Sequence, residues 1–361
     1  MIPTAPGKLR LLIVDDSAFN RRNIAEIFAG NPEVEVVGKA ADGEEALRLA
    51  TLLAPDVITL DLEMPRMDGF TFLRILMSKQ PTAVIVVSSY AQKENVFKAL
   101  ELGALDFVTK PDQKIAPDAK ELKDQILAKV LQLRTVRPKL LRLPPTRRMP
   151  SGIFSDGELS QPGVPSARAP GEFSPRWLVA IASSTGGPGA LIDIFGRMPA
   201  TTHATFVVAQ HMPDKFTRTF AERLAKRGPV RFAEAQDGDR LYARTGFVCP
   251  GRQCMEVSMA EHAFYVRLFG PASTDRYVPS GDRLLRSAAV AGPRCVGVVL
   301  TGMGDDGVEG ARAIREAGGT VIVESAETAV VYGMPGAVSR AGLATRELPL
   351  TQIAEYLAAL P

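Results

Sequence analysis

Three short segments of this chain carry the residue types of a nucleophilic hydrolase. Ser184 is followed by Thr185, Gly186 and Gly187 and preceded by the apolar run Trp177–Ala182, which reads as a strand buried on both faces. A hydroxyl placed there would project from the carboxyl edge of a sheet. The glycines would let the backbone come close, and a helix opening near Pro188 would aim unpaired N–H groups at an anion. Alone, such a turn reads better as a helix cap or a phosphate cradle than as a nucleophile. His211 follows the apolar run Ala204–Ala209, however, and Asp305 and Asp306 follow Cys295–Leu300. Strand ends share one rim, so hydroxyl, imidazole and carboxylate can meet there. His211 would take the Ser184 proton, and a carboxylate would fix its tautomer.

The choices around this set are few. Of the three histidines, His203 precedes a strand and His262 falls in an expected hairpin turn, which leaves His211 as the base. Spacing leaves Asp305 and Asp306 both open as the acid, since the glycines at 302, 304 and 307 let either turn inward. Ser183 is a rival hydroxyl that strand alternation would point away from Ser184. The order Ser, His, acid and the absence of a GxSxG elbow exclude the alpha/beta-hydrolase family.

A second set lies in the first half. Asp15 and Asp16 end a buried strand at 9–14, Asp61 ends one at 56–61, Ser88 one at 83–88 and Lys110 one at 105–109. Three carboxylates on one rim repel unless a hard, partly hydrated divalent cation such as Mg²⁺ sits among them. With Ser88 and Lys110 they could accept a phosphoryl group, Asp61 being the nucleophile.

The elements that must position these residues follow from periodicity. A further strand at 34–39 and helices from Ser17 to Phe28 and at 43–53, 69–79, 92–102 and 117–134 make five β/α repeats, hence a doubly wound parallel sheet. The second half alternates likewise: a helix to 195, a helix at 214–227, a strand at 230–235, hairpin-like segments at 246–249, 255–259 and 263–269, helices at 283–290 and to 317, and a strand at 321–323. That predicts a second α/β domain with a mainly parallel sheet and an antiparallel hairpin region. Between them, residues 136–175 hold 8 of the chain's 27 prolines and 4 of its glycines, and read as a tether spanning roughly 35 Å. The expected domains are therefore 1–135 and 176–361.

Composition sets the class. The 361 residues are 46% hydrophobic and 23% charged, as in globular proteins. Residues 1–135 carry 17 basic and 19 acidic side chains and residues 176–361 carry 20 and 18, so neither half has the cationic footprint of a nucleic-acid binder. Neither a cleavable leader nor a membrane span is seen, and a cytoplasmic protein with no membrane insertion is expected. Cys249, Cys254 and Cys295 lack metal-site spacing and read as buried small hydrophobes.

Asp15-Asp16, Asp61-Leu62-Glu63-Met64-Pro65-Arg66-Met67-Asp68-Gly69, Ser88-Ser89 and Lys110-Pro111 closely resemble the receiver domain of bacterial response regulators. That resemblance implies phosphorylation of Asp61 by a histidine kinase, with the main-chain carbonyl of Glu63 as a further metal ligand. Ser184-Thr185-Gly186-Gly187, Gln210-His211-Met212-Pro213 and Thr301-Gly302-Met303-Gly304-Asp305-Asp306-Gly307 make the carboxyl half resemble the chemotaxis protein-glutamate methylesterase domain of the CheB family. The resemblance assigns Ser184 as nucleophile, His211 as base and Asp306 as orienting acid. It sets Thr185 and Met303 beside the reacting carbonyl, with N–H groups near Thr185–Gly187 holding the oxyanion. It implies demethylation of chemoreceptor glutamyl esters, deamidation of receptor glutamines, no cofactor for the esterase, and a receiver that covers the active site until phosphorylated. Three positions depart from the family pattern: Ala182-Ser183 stand where Gly-Ala is usual, and Asp305 where Asn is usual. A response regulator with a non-enzymatic, partner-binding output half is the alternative; a DNA-binding output is disfavoured by the strand-helix pattern.

Overall fold

Leu11, Leu12, Ile13 and Val14 show no polar face because β1 (Leu9–Val14) lies inside a sheet covered on both sides. In the computed structural model, which describes residues 7–89, 93–110, 119–133 and 174–361, β1 is flanked by β2 (Val34–Ala40) and β3 (Val57–Leu60). The sheet continues through β4 (Ala83–Ser89) to β5 (Asp106–Lys110) in the order β2-β1-β3-β4-β5, every pair parallel. Helices α1 (Ala18–Ile27), α2 (Gly43–Leu53), α3 (Gly69–Lys79), α4 (Lys93–Glu101) and α5 (Ala119–Gln132) alternate with the strands. Side-chain caps fix where the first three begin: Ser17 accepts from the Asn20 N–H, Asp42 from those of Glu44 and Glu45, and Asp68 from that of Thr71. The expected tether at 136–175, but for its last two residues, and Pro111 lie outside the described residues.

The second sheet is larger. It contains β6 (Trp177–Ser183), β7 (Ala204–Gln210), β8 (Arg231–Glu234), β9 (Thr245–Val248), β12 (Cys295–Val299), β13 (Thr320–Glu324) and β14 (Arg346–Leu348), in the order β14-β13-β12-β6-β7-β9-β8 and wholly parallel. An antiparallel hairpin, β10 (Cys254–Ala260) and β11 (Ala263–Phe269), stands apart; its turn residues Glu261 and His262 both have positive φ, as a two-residue hairpin requires. Helices α6 (Gly187–Gly196), α7 (Asp214–Ala225), α8 (Gly281–Ala288), α9 (Val308–Glu316), α10 (Met334–Arg340) and α11 (Leu350–Ala358) cover the sheet.

Two expectations need correction. The segment expected as hairpin-like at 246–249 is instead β9, hydrogen-bonded in parallel to both Phe206–Val208 and Arg231–Glu234. Alternating apolar residues suit either arrangement, so periodicity does not give the direction of the partner. Beyond Val323 the sequence suggests no elements, yet α10, β14 and α11 complete one flank; these pieces of 7, 3 and 9 residues are too short to show a clear period.

Candidate active site

The parallel sheet reverses winding beside β6: the chain passes from β6 to β7 on one side, while β12 lies on the other. Ligands of open parallel sheets bind in the crevice at such a switch, outside the carboxyl ends. Ser183 is in register with Gln210, so Ser184 and His211 are the next positions on adjacent strands, which run about 4.8 Å apart. The His211 N–H donates to the Ser183 carbonyl at 2.9 Å, and the Gln210 side-chain amide donates to the carbonyls of Ser184 (2.9 Å) and His211 (3.1 Å). Ser183 is fully buried, with its hydroxyl donating to Gln210 Oε1 at 2.7 Å, while Ser184 is only half-buried. The rival hydroxyl is thus occupied inside the fold.

The turn after Ser184 is shaped by two glycines. Gly186 has φ of +81°, and a Cβ on Gly187 would lie 2.2 Å from Gln210 Oε1. Among the described residues, the N–H groups of Thr185 and Gly186 donate to no protein acceptor, so both are available to an incoming anion. Thr301 ties this turn to the next strand: its carbonyl accepts from Ser184 N–H at 3.0 Å and its hydroxyl donates to the Thr185 carbonyl at 2.8 Å. Met303, 46% exposed, stands on the same loop.

His211 Nε2 lies 2.8 Å from Asp306 Oδ2. Asp306 is buried and also accepts from the N–H groups of Gly281 (2.6 Å) and Asp282 (2.8 Å), the first residues of α8. A carboxylate out of water needs such donors, and a helix N-terminus supplies them with a favourable dipole. With Nε2 engaged, Nδ1 is the ring nitrogen left to receive a proton. Asp305 points away, accepting from Tyr277 Oη and Arg276, both at 3.1 Å. The Tyr277 ring stacks on His211, with centroids 5.2 Å apart and planes within 7°. Ala182 is accommodated by a glycine opposite it, since a Cβ on Gly281 would come within 2.7 Å of the Ala182 methyl. His203 and His262 are exposed, away from this rim.

Sequence reasoning missed several members of the site. Tyr277 lies just before α8 and Gly281 opens it, where only the Ser280 cap gives a signal. Glu324, at the end of β13, is buried and accepts from the Thr301 N–H at 2.8 Å, and burial pushes its carboxyl up to about 7.

At the rim of the first sheet, Lys110 Nζ lies 2.5 Å from Asp61 Oδ2 and 2.9 Å from Asp15 Oδ2. Burial raises the Asp61 carboxyl above its usual range; Lys110 opposes the rise and Asp15 adds to it. Asp15, Asp16 and Asp61 each offer an oxygen, all within 4.8 Å of one another, a hard donor set that fits Mg²⁺. Ser88 is buried at the end of β4, in register with Thr109, and the Glu63 N–H reaches Asp61 Oδ1 at 3.4 Å. The carboxyl rim of the second sheet meets the first sheet at its opposite, amino edge: Thr185 Oγ1 lies 2.6 Å from Oδ2 of Asp106, the first residue of β5, and Phe97 and Phe107 pack on Phe216 and Phe220.

Residues 179–357 match the family model described as CheB methylesterase, and residues 11–117 match the response regulator receiver domain. The chain is 42% identical to the protein-glutamate methylesterase/protein-glutamine glutaminase 1 of Myxococcus xanthus, over 99% of this chain and 98% of that one. It is 39% identical to the enzyme of the same name from Pyrococcus abyssi, over 98% and 94%. The crystal structure of the Thermotoga maritima CheB methylesterase catalytic domain superposes with a TM-score of 0.50 at 36% identity, covering 51% of this chain and 98% of that one. Matched over nearly its whole length, with a receiver at its amino end and a Ser/His/Asp-bearing sheet rim at its carboxyl end, the chain belongs to the CheB methylesterase family.

Proposed function

We propose that this protein is a phosphorylation-regulated protein-glutamate methylesterase, and a protein-glutamine glutaminase by the same route. The observation that carries the reading is the His211–Asp306 pair, seated on the α8 N-terminus beside the Ser184 turn. Ser184 Oγ attacks the carbonyl carbon of a glutamyl methyl ester as its proton passes to His211 Nδ1. The oxyanion is received by the N–H groups of Thr185 and Gly186, with Gly187 and Met303 bounding the pocket. The C–O bond to methoxide breaks, and His211 returns the proton so that methanol leaves. Water then gives a proton to His211 and attacks the acyl-enzyme, yielding glutamate and free Ser184. With glutamine the leaving group is ammonia.

Regulation starts at Asp61, the proposed phosphoacceptor for a histidine kinase. Asp15, Asp16, Asp61 and the Glu63 carbonyl would hold Mg²⁺, which would offset the charge of the arriving phosphoryl group. Ser88 and Lys110 would bind its oxygens. β5 runs from Lys110, at this site, back to Asp106, which touches Thr185; the four-residue span is about 13 Å. Methyl-accepting chemoreceptors are the protein substrates in this reading, and the cytoplasm is where the enzyme meets them. Among the described residues no helix is long and apolar enough to cross a membrane.

The test is methanol release from a methylated receptor fragment by the full chain, with and without a phosphodonor, against Ser184→Ala. Release that rises on phosphorylation and vanishes in Ser184→Ala is expected. A folded, phosphorylated chain that releases none from any receptor offered would give way to the partner-binding alternative.

A further inference from the structure

Helix α4 is amphipathic and acidic where it meets the catalytic half. Glu94 and Glu101 lie two turns apart with Phe97 between them. Phe97 is fully buried, stacked on Phe220 at 5.7 Å and edge-on to Phe216 at 6.2 Å. Arg223 reaches both carboxylates, Glu101 at 2.5 Å and Glu94 at 3.2 Å, and stands 5.5 Å over the Phe97 ring; Arg227 also pairs with Glu101. The receiving surface is basic: residues 214–228 hold five Lys and Arg against two acidic residues. It also runs up to the nucleophile. α7 begins three residues after His211, and Phe107, packed 4.6 Å from Phe216, is the neighbour of Asp106, which bonds Thr185.

Thr185, next to Ser184, is bonded to Asp106 of the receiver, so on the esterase reading a protein substrate that reaches Ser184 displaces the receiver from this strip. Departure strips Phe216 and Phe220 of their apolar cover and Arg223 of its counter-charges, and an occupant of the same chemistry would restore both. On the esterase reading, the substrate is a segment bearing glutamates, some methylated and some free. We propose that the strip from Phe216 and Phe220 to Arg223 and Arg227 is the docking face for an acidic amphipathic helix of the protein substrate, and that α4 occupies it as an internal stand-in. Substrate specificity and receiver inhibition then share one surface, and the two occupants exclude each other. The inference rests on the esterase reading for the substrate's identity, but not for the face itself.

The test uses the full chain carrying Glu94→Lys and Glu101→Lys, which frees the face, and a fluorescent peptide of residues 93–102. The peptide is lactam-bridged because so short a helix is unstable in water. The native peptide should bind at least about tenfold more tightly than one with both glutamates replaced by lysine. Adding Arg223→Glu and Arg227→Glu to the chain should reverse that preference. Equal binding of the two peptides, or binding of neither, overturns the proposal, and that comparison stands even if the arginine variant does not fold. The native peptide should also compete with methylated receptor fragment for methanol release; tight binding without competition overturns the substrate assignment. If no form releases methanol, the esterase reading fails, and peptide preference alone decides the face.

Discussion

Thr185, the residue after the proposed nucleophile, gives its hydroxyl to Asp106 of the receiver at 2.6 Å, and Lys129 Nζ meets the same carboxylate oxygen at 2.5 Å. The bond between Thr185 and Asp106 is removed from water, since both residues are buried. On the proposed mechanism, the side chain beside the reacting carbonyl is therefore held by the receiver.

Asp106→Asn weakens a charge-assisted bond worth about 1.5–3 kcal/mol. The unphosphorylated full chain should then release methanol roughly tenfold faster than the parent, while the phosphorylated forms differ little. Equal unphosphorylated rates would show that the bond does not hold the receiver in place.

Asp306→Asn removes the charge opposite the His211 imidazolium and permits the wrong tautomer, so kcat should fall roughly 10⁴-fold. Asp305 is partnered at the surface by Arg276 and Tyr277, and Asp305→Asn should cost less than about threefold. Methanol release by the two variants separates the carboxylates; comparable losses would reassign the acid.

Burial raises the Glu324 carboxyl from 4.5 to about 7 in the folded protein. Between those values the folded form binds more protons than the unfolded, so this group's contribution is complete below about pH 4.5 and is lost as pH rises to 7, on the order of 3 kcal/mol. Glu324→Gln should abolish that decline. Urea midpoints measured across the range check it, and a variant as pH-sensitive as the parent would assign the decline to other groups.

Asp15→Asn removes one of three clustered carboxylates. Titration calorimetry should show Mg²⁺ affinity reduced about tenfold or more, since charge count among oxygen ligands sets affinity. Activation by a phosphodonor should fall with it. Unchanged Mg²⁺ affinity would place the ion elsewhere.

By itself the sequence determined which residues stand at strand ends. Runs such as Cys295–Val299 and Ala204–Ala209 have only one environment open to them, inside a covered parallel sheet, and the polar residues that follow must then lie on its rim. Ser184, His211, Asp15, Asp61 and Lys110 were all legible for that reason. Tertiary structure decided what no local period records. It set Asp306 rather than Asp305 against His211, because the donors awaiting it belong to α8, more than 20 residues away in sequence. It stacked Tyr277 on His211 and joined Asp106 to Thr185 across 79 positions. It turned β9 into a parallel strand, because alternation specifies a face and not a partner. The surface shared by α4 and α7 is of the same kind: Phe97 reads in sequence as an ordinary core residue, and only the fold shows that it packs on Phe216 and Phe220 of the other half of the chain.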